Sequence, residues 1–368
     1  MSAVIHAEPR AARRARAFAL LRWTGILALW RTLTRRRLVV LTIHGVAERS
    51  PGQLWEPLRG RLSPGRLEQC LRILSRHYRF VSLEDAADML AGRRPMQPRS
   101  LAVTLDDGYR NQLTLALPIL QRHGVPAAIF VSTGHVQSRR PFWFDRLDYA
   151  LQQAAMDGRE VSIGSRRCRF AGSSRDSLRR GYLELRTLAK SIERDDRDMS
   201  GELEALAGTL EAETGRRLQD RSEEDVWSAV LTAEEIGRAA GAVTFGSHTV
   251  DHVRIHRVDR PTADDQVRRS KSTIEAWTGR TCRFFCYPDG GYSRDAAAAV
   301  AAAGYAMAVT TNRGANRAGD DIMAIRRIDV PPSGSAAELL AEVSGLADWL
   351  HSIFEVVRSP RSPHTSPG

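Results

Sequence analysis

The chain is short of the features that would place it in several large protein classes. It has only four cysteines in 368 residues, Cys70, Cys168, Cys282 and Cys286. That is too few for a disulfide framework at this length, and the spacing fits no familiar zinc pattern. No apolar run reaches the roughly 20 residues of a spanning helix. The longest, residues 18–33, is interrupted by Arg22 and lacks a small-residue cleavage site, so no cleavable signal peptide is expected. No sequence motif repeats. The net charge of +11 is concentrated in residues 1–37, which carry nine Arg and one Glu, or +8, and leave +3 for the rest. No nucleic-acid-binding motif accompanies that basic segment, so nucleic acid is not an expected partner.

What remains is a hydrophobic content of 42%, enough for a sizeable core, and a recurring alternation of strand and helix patterns. Strands read at 38–43, 80–81, 101–105, 127–132, 243–247, 283–287, 306–311 and 325–330. Helices read at 67–78, 83–90, 111–123, 232–240, 263–278, 293–303 and 336–357. Residues 135–230 break the rhythm as a mostly helical insertion, with a hairpin candidate at 161–170. Residues 1–16 and 359–368 read as disordered. Arg clusters flanking Trp23 and Trp30 suit a helix over 18–33 lying in a membrane interface; the plain alternative is an amphipathic helix packed on the domain.

Two strand ends carry chemistry. Leu101–Leu105 runs into Asp106-Asp107-Gly108, and two unpaired charges beside a buried strand need a metal or a strong hydrogen-bond network. The apolar segment from Val243 runs into His248-Thr-Val-Asp-His252. A pair four residues apart shares one face if the segment is helical, and so can reach one ion. A carboxylate and two histidines make an open, catalytic type of metal site rather than a closed structural one. The bland readings are a helix cap at the Asp pair and a solvated histidine pair. A third strand delivers His44, again at the C-terminal end, where barrel enzymes place their chemistry.

In this order the pieces resemble a polysaccharide deacetylase of the NodB-homology type over about 38–330, the insertion excepted. Leu105-Asp-Asp-Gly108 is similar to that family's Phe-Asp-Asp-Gly motif, and His248-Thr-Val-Asp-His252 to its His-Ser/Thr-x-x-His motif. Tyr287-Pro-Asp-Gly290 resembles the third. The resemblance implies an α/β fold, a distorted, incomplete (β/α) barrel. It implies one divalent ion, zinc first with cobalt or nickel as alternatives, on Asp107, His248 and His252. Asp106 would be the general base toward a metal-bound water, with Asp289 (through its backbone amide) and Tyr287 on the oxyanion and substrate side.

Two departures stand out. Where many members carry an Arg before the Pro turn, this chain has Cys286, and Arg327 on the final strand is the candidate replacement. The usual acid, a His in a C-terminal Leu-x-His, is absent in suitable context. Ile43-His44-Gly45-Val46 resembles the first-strand segment of a motif-permuted branch, which makes His44 the candidate acid. The implied function is removal of N-acetyl groups from an N-acetylhexosamine polysaccharide or lipid-linked glycan, in exopolysaccharide or envelope metabolism. The cellular expectation is an inner-membrane surface or the cytoplasm. The alternatives are a non-catalytic glycan-binding scaffold and an amide hydrolase on a small non-sugar substrate. The expected organisation is 1–37 as a basic interface segment, 38–330 as the catalytic unit and 331–368 as a helix with a tail.

Overall fold

A computed structural model describes residues 7–49, 53, 55–158, 160–163, 166–169, 174–191 and 195–358. Its strands are β1 (Val39–Ile43), β2 (Arg79–Phe80), β3 (Ser100–Leu105), β4 (Ala127–Val131), β5 (Glu160–Ile163), β6 (Arg166–Arg169), β7 (Thr244–Ser247), β8 (Phe284–Cys286), β9 (Met307–Arg313) and β10 (Ile325–Asp329). Seven of them close a parallel barrel in the order β1-β10-β9-β8-β7-β4-β3, with β3 returning to β1. This is the expected α/β barrel, one strand short of eight. Its distortion lies at the β9–β10 seam, where the register shifts between Ile325 and Arg327. β2 pairs only with the start of β3, and β5–β6 is the anticipated antiparallel hairpin.

The barrel follows from strands that are apolar on both faces. β1, β3 and β4 are buried along their whole length, as parallel strands covered by helices must be. Alternation then sorts the side chains. Val40, Ala102, Phe130, Phe284, Val309 and Ile325 share one cluster, closed at one end by Leu83, Met89 and Leu90 of the helix Leu83–Leu90. Leu41, Val103, Ile129 and Phe285 face the surrounding helices. Continuing the inner row by steps of two leads from Val40 through Thr42 to His44, from Ala102 through Thr104 to Asp106, and from Ile325 to Arg327. The barrel interior therefore ends in polar and charged groups at one mouth. Gly246 keeps that interior filled: a Cβ there would lie 2.5 Å from the Phe130 ring and 2.9 Å from the Phe284 carbonyl oxygen.

The insertion has its own core. Phe142, Phe144, Leu147, Tyr182, Leu185 and Leu203 pack the helices Trp143–Met156, Arg175–Ser191 and Asp196–Thr214 together. The helix Ala233–Ala239 opens with the anticipated capping box, Thr232 accepting from the Glu235 amide at 3.2 Å and Glu235 accepting from the Thr232 amide at 2.8 Å.

Both chain ends differ from expectation. Residues 7–16 are helical, and 18–33 is not one helix but the end of Ala7–Trp23 followed by Ile26–Leu33. The break is at Gly25, which adopts φ 79°, a conformation open to glycine at little cost. The C-terminal helix divides in the same way into Ala336–Val343 and Leu346–Arg358, at Gly345 with φ 74°. The ends pack on each other: the Trp30 indole donates to the Ser344 carbonyl at 2.9 Å, and its ring lies 5.0 Å from Trp349. Arg14 and Arg313 both pair with Glu342. Phe18 and Leu27 enter the main core, so the packed-helix alternative holds for that face. Leu20, Trp23, Ile26, Leu29 and Leu33 remain exposed. No helix among the described residues is long and apolar enough to cross a membrane. Residues 1–6 and the tail 359–368 lie outside the described residues.

Candidate metal centre and active site

The two adjacent aspartates part company at the end of β3. Asp106 stays in the inner row. Asp107 takes φ 79° and Gly108 φ 77°, which turns the next carboxylate toward the β7 side. Gly108 is required by contact as well as by φ, since a Cβ there would lie 2.8 Å from a Val131 methyl.

Asp106 is gripped by Arg327. Arg327 Nη1 donates to Oδ1 at 2.7 Å and Nη2 to Oδ2 at 2.6 Å. The guanidinium also donates to the Thr310 carbonyl at 2.8 Å, to the Thr104 hydroxyl at 3.0 Å and to Cys286 Sγ at 3.2 Å. Both partners are buried. Burial alone would raise the Asp106 pKa, but the charge and hydrogen bonds of Arg327 override it and hold the carboxyl down at about 2. Arg327 thus occupies the place next to the Asp that Cys286 cannot fill, and the Cys286 thiol, raised by burial, lies against it.

Asp107 faces the histidines. Its Oδ1 is 3.5 Å from His248 Nε2 and 3.4 Å from His252 Nε2. The three residues offer ligand atoms within 4.8 Å of one another, all buried. A tetrahedral ion with bonds of about 2.1 Å sets its ligand atoms about 3.4 Å apart, so the spacing fits. The chemistry fits too. His248 Nδ1 lies 2.7 Å from the Cys286 carbonyl, so that nitrogen carries the proton and Nε2 presents its lone pair to the centre. Asp107 Oδ2 is buried with no hydrogen-bond partner, an unpaired acceptor that a cation would satisfy. Burial opposes charge on Asp107, but the imidazoles hold its pKa well below the usual carboxylate range.

The histidine pair does not share a helical face, so the helical condition on that spacing is not what brings the rings together. Residues 248–252 form a loop in which Thr249 has φ 66° and His252 φ 55°. Gln266 pins it, accepting from the Val250 and Asp251 amides at 3.0 Å each and donating to Asp251 at 2.7 Å. Ser132 donates to the His248 carbonyl at 2.9 Å. Four of the six non-glycine residues with positive φ among the described residues, Asp107, Thr249, His252 and Asp289, lie at this mouth, so strain is concentrated where the functional groups are.

The remaining candidates are brought to the same cavity, of about 440 Å³, lined by His44, Asp106, Asp107, His248, His252, Tyr287 and Asp289. Burial lowers the His44 pKa, and the charges of Asp107 and Asp106 partly oppose that. The Tyr287 hydroxyl is buried without a partner. Asp289 adopts φ 52° and its carboxylate pairs with Lys190.

Sequence reasoning passed over several residues of this mouth. Asp145 accepts from the Tyr109 hydroxyl at 2.6 Å and from Arg61 at 3.2 Å, and Arg61 stands 4.2 Å from the Tyr109 ring centroid. Asp145 lies in the first turn of the helix Trp143–Met156, and an Asp directly after three aromatics was the available signal. Phe142 and Phe144 set their rings 5.4 and 5.3 Å from His252. Arg59, Lys190 and Arg186 carried no local signal at all.

The Arg327 pair generates a stability expectation. Arg327→Met leaves Asp106 buried without its counter-charge, a change that typically costs about 3–5 kcal/mol. With a folded pKa near 2, below the unfolded value of about 3.9, Asp106 contributes stability above pH 4 that is lost as the pH falls toward 2. Urea denaturation is expected to show the deficit at pH 7 and a narrowing gap between wild type and variant below pH 4. An unchanged midpoint at pH 7 would mean that the pair does not stabilise the fold.

Comparison with known proteins agrees with this geometry. The family model for polysaccharide deacetylase matches residues 93–174 and 226–308. YxkH of Bacillus subtilis (strain 168), named as a polysaccharide deacetylase, is 29% identical over 109 residues, which is 29% of this chain and 39% of that protein's length. Among solved structures, the Streptococcus pyogenes deacetylase PplD in complex with acetate superposes with a TM-score of 0.54 at 17% identity, over 83% of this chain and 98% of that one. IcaB from Ammonifex degensii gives 0.52 at 20% identity, over 84% and 97%. At these identities the solved structures speak for the fold. The matched segments contain Asp106, Asp107, His248, His252, Tyr287 and Asp289, whereas His44 and Arg327 fall outside them. By its barrel, its motifs and this match, the chain resembles the polysaccharide deacetylases.

Proposed function

We propose that this site hydrolyses the acetamide of an N-acetylhexosamine glycan with the help of one divalent metal ion. The observation that carries the reading is the division of labour between neighbouring carboxylates. Asp107 faces two imidazoles at metal-ligand spacing, while Asp106 is turned away and kept ionised by Arg327. A divalent ion held by Asp107, His248 and His252, zinc before cobalt or nickel, would polarise the acetamide carbonyl and lower the pKa of water. Asp106 then takes the proton of the attacking water as general base. His44, on the same cavity, passes a proton to the leaving amine. The Tyr287 hydroxyl, which has no partner of its own, and the Asp289 backbone amide stabilise the developing oxyanion. Arg327 positions Asp106 and does not touch substrate. The catalytic unit in this reading is 38–330.

We also infer that the N-terminal segment lies against an anionic membrane surface, which would bring the site to a lipid-linked or nascent glycan. Leu20, Trp23, Ile26, Leu29, Leu33 and Trp349 are exposed large apolar side chains. They accompany Arg16, Arg22, Arg35 and Arg36, and apolar anchors with arginine neighbours suit the interface of an anionic bilayer.

Acetate release from N-acetylated chito-oligosaccharides is expected to require an added divalent metal. Asp106→Asn is expected to lower kcat by about 100-fold or more, and His44→Ala by about 100-fold, the usual scale of a lost acid or base. Near-wild-type turnover by either variant would remove that residue from its role. For the membrane reading, co-sedimentation with phosphatidylglycerol vesicles is expected to be lost in Trp23→Ser/Leu33→Ser and weakened by salt. Equal partitioning of wild type and variant would contradict it.

A further inference from the structure

Three cations gather beside the cavity, around Phe144 and Asp289 of its lining. Arg59 lines the cavity and stands 5.7 Å from the centroid of the Phe144 ring. Arg186, on the helix Arg175–Ser191, stands 5.3 Å from the same centroid and bonds the Tyr182 hydroxyl at 3.2 Å. Lys190, one turn further along, stands 5.8 Å from the Trp143 centroid and pairs with Asp289. Among the described residues, neither Arg59 nor Arg186 has a carboxylate within ion-pair distance. Arg61, by contrast, is matched by Asp145.

Two guanidinium groups beside one ring repel each other, and Arg186 is buried. The aromatic faces offset part of that cost and no more. A charge removed from water normally brings a counter-charge with it. Lys190 registers the same imbalance: burial lowers its pKa to about 8 against the pull of Asp289, and Arg186 and Arg59 push in the direction of burial.

The origin of these cations separates them from the chemistry. Asp106, Asp107, His248 and His252 lie inside the segments matched by the family model, whereas Arg59, Arg186 and Lys190 all lie outside them. The helix Asp196–Thr214, which follows Lys190, is locked to the histidine loop. Asp196 accepts from the Arg254 amide at 2.7 Å and from its guanidinium, two residues beyond His252. Arg254 also donates to the Lys190 carbonyl at 3.3 Å, which ties Lys190 to the same loop.

We propose that the glycan taken by this site carries an anionic oxygen group, a carboxylate or a phosphate, close to the acetamide, and that Arg59 binds it in the field of Arg186 and Lys190. The inference rests on the acetamide-hydrolysis reading above. A planar guanidinium meets either oxyanion with two parallel hydrogen bonds.

The test compares three methyl glycosides with the metal-loaded full chain: N-acetylglucosamine, its C6 uronate and its 6-phosphate. A charge-assisted contact of about 1.5–3 kcal/mol corresponds to about tenfold or more in kcat/KM, so at least one acidic sugar is expected to exceed the neutral one by that factor. The acidic-to-neutral ratio is expected to fall toward one in Arg59→Gln and at high salt. The uronate and phosphate arms identify which group is bound. Equal or lower kcat/KM for both acidic sugars, or a ratio unchanged in Arg59→Gln, overturns the proposal. Failure of all three to release acetate counts against the hydrolase reading instead. Calorimetric titration with the same sugars then decides the charge question: tighter acidic binding that Arg59→Gln removes supports it, and equal or undetectable binding of all three overturns it.

Discussion

The bidentate pair between Arg327 and Asp106 is the constraint around which the barrel mouth is arranged. Two adjacent carboxylates at the end of a buried strand would repel each other and both resist ionisation. A buried guanidinium bonded to both oxygens of one of them resolves the conflict. Asp106 stays charged in the barrel interior, and Asp107 is free to turn toward His248 and His252. The pair also spans the closure of the barrel, because Arg327 on β10 reaches Asp106 beyond β3 with β1 between them. The contact therefore links the strands on either side of β1 to the electrostatics of the site.

Much of the site was legible because parallel strands have a period of two. Once Asp106, His248 and His44 were placed at strand ends, a barrel was the natural way to bring them together. Arg327 was reachable only through the resemblance, which implies an Arg where this chain has Cys286 and so points to a replacement on the final strand. The loop at 248–252 was read as a possible helix because i, i+4 spacing suits helical ligands. The chain instead uses left-handed residues at Thr249 and His252, pinned by Gln266, to aim the same two rings. Such a conformation has little signature in local pattern, since the β-branched Thr249 is not a residue that favours positive φ.

Other features depend on contacts far apart in sequence. The breaks at Gly25 and Gly345 turn two apparent helices into four, and the Trp30 bond to Ser344 shows why they are useful: the turned segments cover each other. The charged helices of the insertion carry no local pattern that marks a functional cation. In the structure Lys190 faces Asp289, and Arg186 and Lys190 stand against the rings of Phe144 and Trp143.

The central claim is that Asp107, His248 and His252 form one metal centre. It is tested most directly by counting zinc bound per chain after equilibrium dialysis, in wild type and in Asp107→Ala with its fold checked by circular dichroism. The account predicts one tightly held ion per wild-type chain and none in the folded variant. A wild-type chain that binds no ion, or a variant that keeps its full complement, would contradict it.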